Sequence, residues 1–315
     1  MATWHVQPCY ETHHGVFNRH FEPILTIDSG DTVIYRTLDA GWGLEPASPE
    51  RDGPKRRVFE PTRPERRGNG HCLVGPIFIR DAEPGMTLEV VIEDIVVGGW
   101  GWTGCWHNPT TEAAGVASDD YGYLNWTLDH ERQIGVNQYG HEVSLRPFMG
   151  VMGMPIDEPG DHVTFPPRFT GGNLDCKELI AGTSLFLPIA VPGGLFSVGD
   201  GHAAQGDGEV SVTAIECGMD RVQLKFILHP DLKLSAPRAR IPGATVTFGL
   251  DEDLDQAAYK AVREVVDIIV ERLHVTRSVA LALASVTADL RVTQYVNGVK
   301  GVHAILRDEA VRSAQ

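Results

Sequence analysis

Glycine and proline cut the first 250 positions at short intervals, drawing on 34 Gly and 20 Pro in a chain of 315 residues. Helix interiors tolerate neither residue well, whereas short strands joined by turns use both. Between the cuts lie runs rich in β-branched and aromatic residues: 24–38, 87–97, 184–192, 208–217 and 221–228. Turns such as Ser29-Gly30-Asp31 and Glu83-Pro84-Gly85 introduce or separate them. The pattern predicts a mainly β body over residues 1–250, a β-sandwich of jelly-roll type. After Gly249 the period changes. Leu254, Ala258, Val262, Val265, Ile269 and Leu273 recur at helical steps, with acidic residues at the start where they suit the helix dipole. A second helix is expected from Ser278, as N-cap, through the run ending near Val296, and a further short helix or strand near 302–306. Residues 251–315 are thus read as C-terminal amphipathic helices packed on the body in one interlocked unit.

Charge removes two classes of partner. With 42 acidic against 27 basic side chains the formal charge is −15, which repels nucleic acid and anionic membrane surfaces. At 42% hydrophobic residues the chain has material for a sizeable core. No stretch approaches the roughly 18 consecutive apolar residues of a membrane span, and residues 1–21 lack the apolar core of a signal peptide. Five cysteines, Cys9, Cys72, Cys105, Cys176 and Cys217, are scattered without a C-x-x-C pair. That usage fits a soluble cytoplasmic protein and argues against both a disulfide framework and a thiolate zinc site.

Chemistry concentrates in residues 197–210, SVGDGHAAQGDGEV, where Asp200, His202, Gln205, Asp207 and Glu209 stand among glycines between two apolar strands. Carboxylates and an imidazole separated by small residues can converge on a divalent cation; the bland alternative is an exposed hairpin of solvated acids. A second polar insertion, GGNLDCKEL at 171–179, carries Asn173, Asp175, Lys177 and Glu178. A bend at Pro192-Gly193-Gly194 is expected to bring Asp175 beside His202. His71, Asp39, His13, His14 and His20 are weaker candidates, more often structural. Residues 98–126 hold Trp100, Trp102, Trp106 and Trp126, suited equally to a pocket or an oligomer interface. Residues 51–67 hold seven basic residues and three prolines, and read as a solvated loop or subunit contact before an anion site. There is no G-x-S-x-G elbow or H-E-x-x-H helix, and no G-x-x-x-x-G-K-S/T or G-x-G-x-x-G opens a helix after a strand.

The runs GPIFIRDAEPGMTLEV, PFMGVMGMP, the long stretch from Gly171 to Val210 and ASVTADLRVTQYVNGVKGV resemble the acetamidase/formamidase family, in order and at compatible spacing. The resemblance implies a β-rich fold with an α/β portion, hydrolysis of a short aliphatic amide to acid and ammonia, a divalent metal and homo-oligomers. Asn173, Asp175, Asp200, His202, Gln205, Asp207 and Glu209 match its motifs. Among these, by the chemistry of their donors, Asp175, His202 and Asp207 are expected to hold the metal, with zinc the first choice. Glu209 is expected to act as the general base toward metal-activated water, and Asn173 or Gln205 to orient a small amide. Two rivals stand beside this reading: an amidase using Cys176 as nucleophile, and a non-catalytic metal- or ligand-binding sandwich.

Overall fold

A computed structural model describes residues 1–9, 11–48, 55–60 and 64–311. Its frame is one hydrogen-bonded, mostly antiparallel network of 18 strands with a separate two-stranded ribbon, two short helices at Pro64–Arg67 and Pro109–Ala113, and two longer ones near the C-terminus. The mainly β reading therefore holds. The organising element is the long strand Thr87–Cys105, whose side chains alternate between buried and half-buried along TLEVVIEDIVV. It pairs antiparallel with Glu216–His229 along nearly its whole length, from Leu88 opposite Leu228 to Trp102 opposite Glu216, and with Thr183–Pro188 and Gly122–Asp129. Leu88, Val90, Ile92, Leu185, Leu187, Val222, Leu224 and Phe226 are sealed from solvent in the main apolar cluster.

A second group of strands positions the site. Phe148–Gly153 lies between Gly171–Asn173 on one side and Phe196–His202 on the other, with Val151 opposite both Asn173 and Gly199. The expected bend at Pro192-Gly193-Gly194 is present: Gly194 N–H donates to Val191 O and both glycines have positive φ, 75° and 68°. It sends Phe196–His202 away from Thr183–Pro188 and onto Phe148–Gly153.

The C-terminal helix Leu254–Leu273 is capped by Asp253, which accepts from Gln256 N–H. It buries Ala257, Ala261, Val265, Val266 and Ile269. Leu254, placed on the buried stripe from periodicity, is instead half-exposed, because the face that docks is set by the two small alanines that admit the neighbouring strand. That strand, Ala244–Asp251, meets the helix at Gly249, where a Cβ would overlap the Ala257 carbonyl oxygen. The second helix departs from expectation at both ends. Thr276, not Ser278, is the N-cap, and the helix stops at Thr287. Residues 288–294 form a strand, paired with Lys300–Arg307, because β-branched Val292 and Thr293 have a sheet edge to join. Helices and the strands beneath them share a second apolar cluster that includes Val302, Ala304 and Leu306. No helix of the described residues is long and apolar enough to cross a membrane.

Candidate active site

Strand register brings the two polar segments together. Asp175 follows directly from Gly171–Asn173, and Asp200 and His202 end Phe196–His202, so the intervening strand Phe148–Gly153 sets both on one patch. His202 stands opposite Glu216 in the adjoining pair. The result is a buried cluster in which His202 Nε2 lies 3.3 Å from Asp200 Oδ1 and 3.3 Å from Glu216 Oε2. His202 Nδ1 lies 4.0 Å from Asp175 Oδ1. Ligand-type atoms of Asp175, Asp200 and His202 fall within 4.8 Å of one another, as do those of His202, Glu209 and Glu216. Gly150 makes room for them: a Cβ there would stand 2.5 Å from Asp200 Oδ2 and 2.7 Å from Asp175 Oδ1.

The backbone is held in an unusual state around this patch. Asp175, Asp200 and Glu209 all have left-handed φ, 50°, 59° and 49°. Non-glycine residues rarely adopt it, and the cost is tolerated where surrounding structure fixes the chain for a purpose. Gln205 supplies part of that fixing. Its Nε2 donates to the Asp175 carbonyl at 2.8 Å, which leaves its Oε1 to pair with His202 Nδ1 at 2.9 Å. His202 Nδ1 is therefore the proton-bearing nitrogen in that bond, and Nε2 is turned toward the carboxylates. Asn297, between the last two strands, donates to Asp175 Oδ2 at 2.7 Å.

Asp175 Oδ1, His202 Nε2, Glu209 Oε2 and Glu216 Oε2 are buried without a hydrogen-bond partner. Four such atoms facing one another are expensive to leave unmatched. The carboxyls respond as crowded acids do. Burial, with the Asp200 and Glu216 charges, pushes Asp175 up to about 8 despite the attraction of His202. Burial and Asp200 raise Glu216 to about 7, again against the pull of His202. Burial and Asp175 raise Glu209 well above the carboxylate range. For His202 burial works against the charged ring, but Glu216 and Asp200 outweigh it and hold the imidazolium well above its usual range. Burial likewise opposes charge on Asp200, yet His71 and His202 hold it low. Hard oxygen donors with one imidazole and no thiolate, proton-hungry and unpartnered, fit a divalent cation.

Not every residue expected at the cluster reaches it. Asp207 is turned outward and forms an ion pair with Lys177 at 2.9 Å, with Arg291 at 3.8 Å. Gly208 is bridged to Gln294, which carries residues 206–208 toward the C-terminal strands and away from His202. Gln205 has both ends of its amide engaged and holds His202 and Asp175. Asn173 does face the cavity: its Nδ2 donates to Phe165 O at 3.1 Å, and its Oδ1 is buried and unpartnered. Glu216 and Asn297 escaped sequence reasoning. Glu216 lies in an alternating strand run, where a single acid reads as solvent-facing, and only the pairing of His202 with Glu216 reveals it.

A cavity of about 430 Å³ opens over the cluster, with Asp200, Glu209, Glu216 and Asn173 among its lining residues. Trp102 and Trp106 of the tryptophan-rich segment line it too, joined by Trp42 and Phe165. Much of the basic loop, from Arg51 to Pro54 and from Pro61 to Arg63, lies outside the described residues. Arg56 from its described part pairs with buried Asp39 at 2.7 Å and lies over Trp102. Of the weaker candidates, His71 borders the cavity and shares a bond with the Thr164 hydroxyl, while His14 is buried against Ser197.

A sequence model described as the Acetamidase/Formamidase family matches residues 155–301. A putative formamidase of Schizosaccharomyces pombe is 28% identical over 225 residues, which span 53% of this chain and 55% of that protein. An acetamidase of Mycolicibacterium smegmatis is 48% identical over 87 residues, 28% of this chain and 18% of that one. The matched segments thus span about half, or less, of these relatives' length. Solved structures match more fully. An acetamidase from Bacillus halodurans superposes with a TM-score of 0.83 at 26% identity, covering 96% of this chain and 97% of its own. One from Yersinia enterocolitica gives 0.84 at 25% identity, over 98% and 93%. The chain thus shares its fold with these acetamidases over nearly its whole length, and the segment that carries the clustered carboxylates is similar to the acetamidase/formamidase family.

Proposed function

We propose that the chain hydrolyses a carboxamide of the formamide/acetamide type to a carboxylic acid and ammonia, with a divalent cation held by Asp175, Asp200, His202 and Glu216. The carrying observation is the convergence of unpartnered, buried Asp175 Oδ1, His202 Nε2 and Glu216 Oε2 in one cluster, whose Asp200, Glu209 and Glu216 line a cavity. Zinc is the first choice of ion, since an N/O donor set with one imidazole lies within its range. When bound, such an ion supplies Lewis acidity and lowers the pKa of water. The rest falls to the chain.

Glu209 has an unpartnered oxygen at the cavity wall and a carboxyl that burial makes willing to hold a proton. It is placed to take the proton of the attacking water and to deliver it to the amide nitrogen, which leaves only when protonated. Asn173 Oδ1 offers a fixed acceptor for the amide N–H groups, which orients the carbonyl carbon toward the water. Gln205 and Asn297 are positioning residues, acting through His202 and Asp175. Family resemblance further suggests a homo-oligomer, and the scattered cysteines suit a reducing cytoplasm.

The Cys176 alternative loses ground on its surroundings. Its side chain is fully buried in the apolar core, and burial pushes the thiol up to about 12, so a nucleophilic thiolate is scarce at neutral pH. Two variants test the assignment. His202→Ala is expected to lose bound metal and ammonia release together, measured by elemental analysis and an ammonia assay. Glu209→Gln is expected to keep the metal and lose at least about a hundredfold in kcat. Wild-type turnover in either variant refutes the corresponding role.

A further inference from the structure

The cavity over the cluster is far larger than formamide or acetamide requires. An amide of three or four heavy atoms fills the room of roughly two or three waters, at about 30 Å³ each, against about 430 Å³ here. Most of what remains is walled by aromatic rings. Trp42 Nε1 donates to Gly70 O at 3.0 Å and Trp102 Nε1 donates to Asp39 Oδ2 at 2.6 Å. Both indoles therefore have their polar edge committed and can offer only ring surface. Asp39 is fully buried and also accepts from Gly43 N–H, so one carboxylate pins the Trp102 ring and the turn that carries Trp42. Trp42, held at φ 63°, stacks on Phe59, and Trp102 lies nearly parallel to Tyr123 at 5.8 Å. These walls are preorganised, which spares a ligand the cost of ordering them. Trp106 and Phe165, both partly exposed, complete the lining. Arg67, the basic residue in the described lining, pairs with Glu60 and lies over the Trp42 ring. Asp39 is likewise neutralised by Arg56, so the outer chamber selects for a neutral aromatic group and not for an ion.

We infer that the preferred substrate is a primary carboxamide whose acyl group carries an aromatic ring, an arylacetamide in class, with the ring between Trp42, Trp102 and Trp106 and the carboxamide at Glu209 and Asn173. The inference rests on the hydrolytic reading above. It places the ring on the acyl side because ammonia is the leaving product. Water adds to the carbonyl carbon, the C–N bond breaks, and the arylacetic acid and ammonia depart with all atoms accounted for. A ring buried against these walls adds on the order of 150–250 Å² of contact that acetamide lacks.

Two measurements test it on the metal-loaded full chain. Ammonia release from acetamide and phenylacetamide is compared with aniline release from acetanilide, and phenylacetamide binding is followed by tryptophan fluorescence on wild type and Trp106→Ala. The expected result is a kcat/KM for phenylacetamide at least about tenfold above that for acetamide, and a weaker fluorescence response with at least about threefold higher Kd in Trp106→Ala. Equal or faster turnover of acetamide overturns the inference while leaving the hydrolytic reading intact. Preference for acetanilide overturns the acyl-side placement. Phenylacetamide that binds in a Trp106-dependent way without release of ammonia from any amide supports the aromatic chamber and defeats the hydrolytic reading. No binding and no turnover defeats both.

Discussion

A single missing methyl group makes the site. Gly150 has no special φ to explain it, but its Cα faces the carboxylates of Asp175 and Asp200 at a distance that a Cβ would close to 2.5–2.7 Å. Gly150→Ala is therefore expected to displace Asp200 and Asp175 and to cost about 1–3 kcal/mol in stability, an overpacking penalty. Metal affinity should fall at least about tenfold. Denaturant melts and metal titration check both, and unchanged metal affinity contradicts the cradle role. Residues 171–179 show why side-chain types alone do not fix roles. Cys176 points into the core, Lys177 pairs with Asp207, and Glu178 pairs with Arg146 and Arg291. Three consecutive functional residues thus serve three different neighbourhoods.

Among elements, the decisive one is the short strand Phe148–Gly153, because it pairs with both the segment before Asp175 and the segment ending in His202. The C-terminal strands make a second link. Asn297, in the turn between Ala288–Gln294 and Lys300–Arg307, reaches Asp175, and Gln294 braces that turn through the Val299 carbonyl and the Val296 and Asn297 N–H groups. Asn297→Ala is expected to leave folding within about 1 kcal/mol of wild type. Metal dissociation should become at least about fivefold faster, as read by transfer to a chromogenic chelator. The helix Leu254–Leu273 supports those strands from behind, and its close approach depends on Gly249. Gly249→Ala should lift the helix from the sheet and cost about 2–3 kcal/mol, visible as a lower unfolding midpoint with an unchanged slope.

At the scale of the molecule, the buried acids couple stability to pH and cation. Asp175 and Glu216 titrate near 8 and 7 in the folded chain, Glu209 is also raised, and their unfolded counterparts titrate near about 4. Between about pH 4 and about 8 the folded chain then binds more protons than the unfolded one, so these groups make metal-free protein less stable as pH rises. His202, raised as well, contributes in the same sense above its unfolded value of about 6.5. A divalent cation takes the place of those protons. The difference in Tm between zinc-loaded and chelated protein should widen by several degrees from about pH 5.5 to about pH 8, as seen in paired calorimetric scans. A gap that is constant or shrinks with pH contradicts cation binding at this cluster.

The sequence by itself determined what depends on local order. Glycine and proline spacing dictated a mainly β body, though Thr87–Cys105 and Glu216–His229 run longer than that spacing implies and residues 208–215 form no strand. Three-to-four residue periodicity dictated the long helix, and GDGHAAQGDGE marked where acids and an imidazole meet among small residues. It also marked Asp175 and the bend at Pro192-Gly193-Gly194, since both lie within a few residues of their effects. Tertiary structure alone decided which acids converge. Glu216 replaced Asp207 beside His202 because strand register, a long-range hydrogen-bond pattern, sets opposite residues face to face, while Asp207 followed its neighbour Gly208 outward to Lys177. The tryptophans of residues 98–126 showed the same limit: aromatic content is visible in sequence, but only the folded chain joins Trp102 to Trp42 through Asp39 and closes a chamber around them.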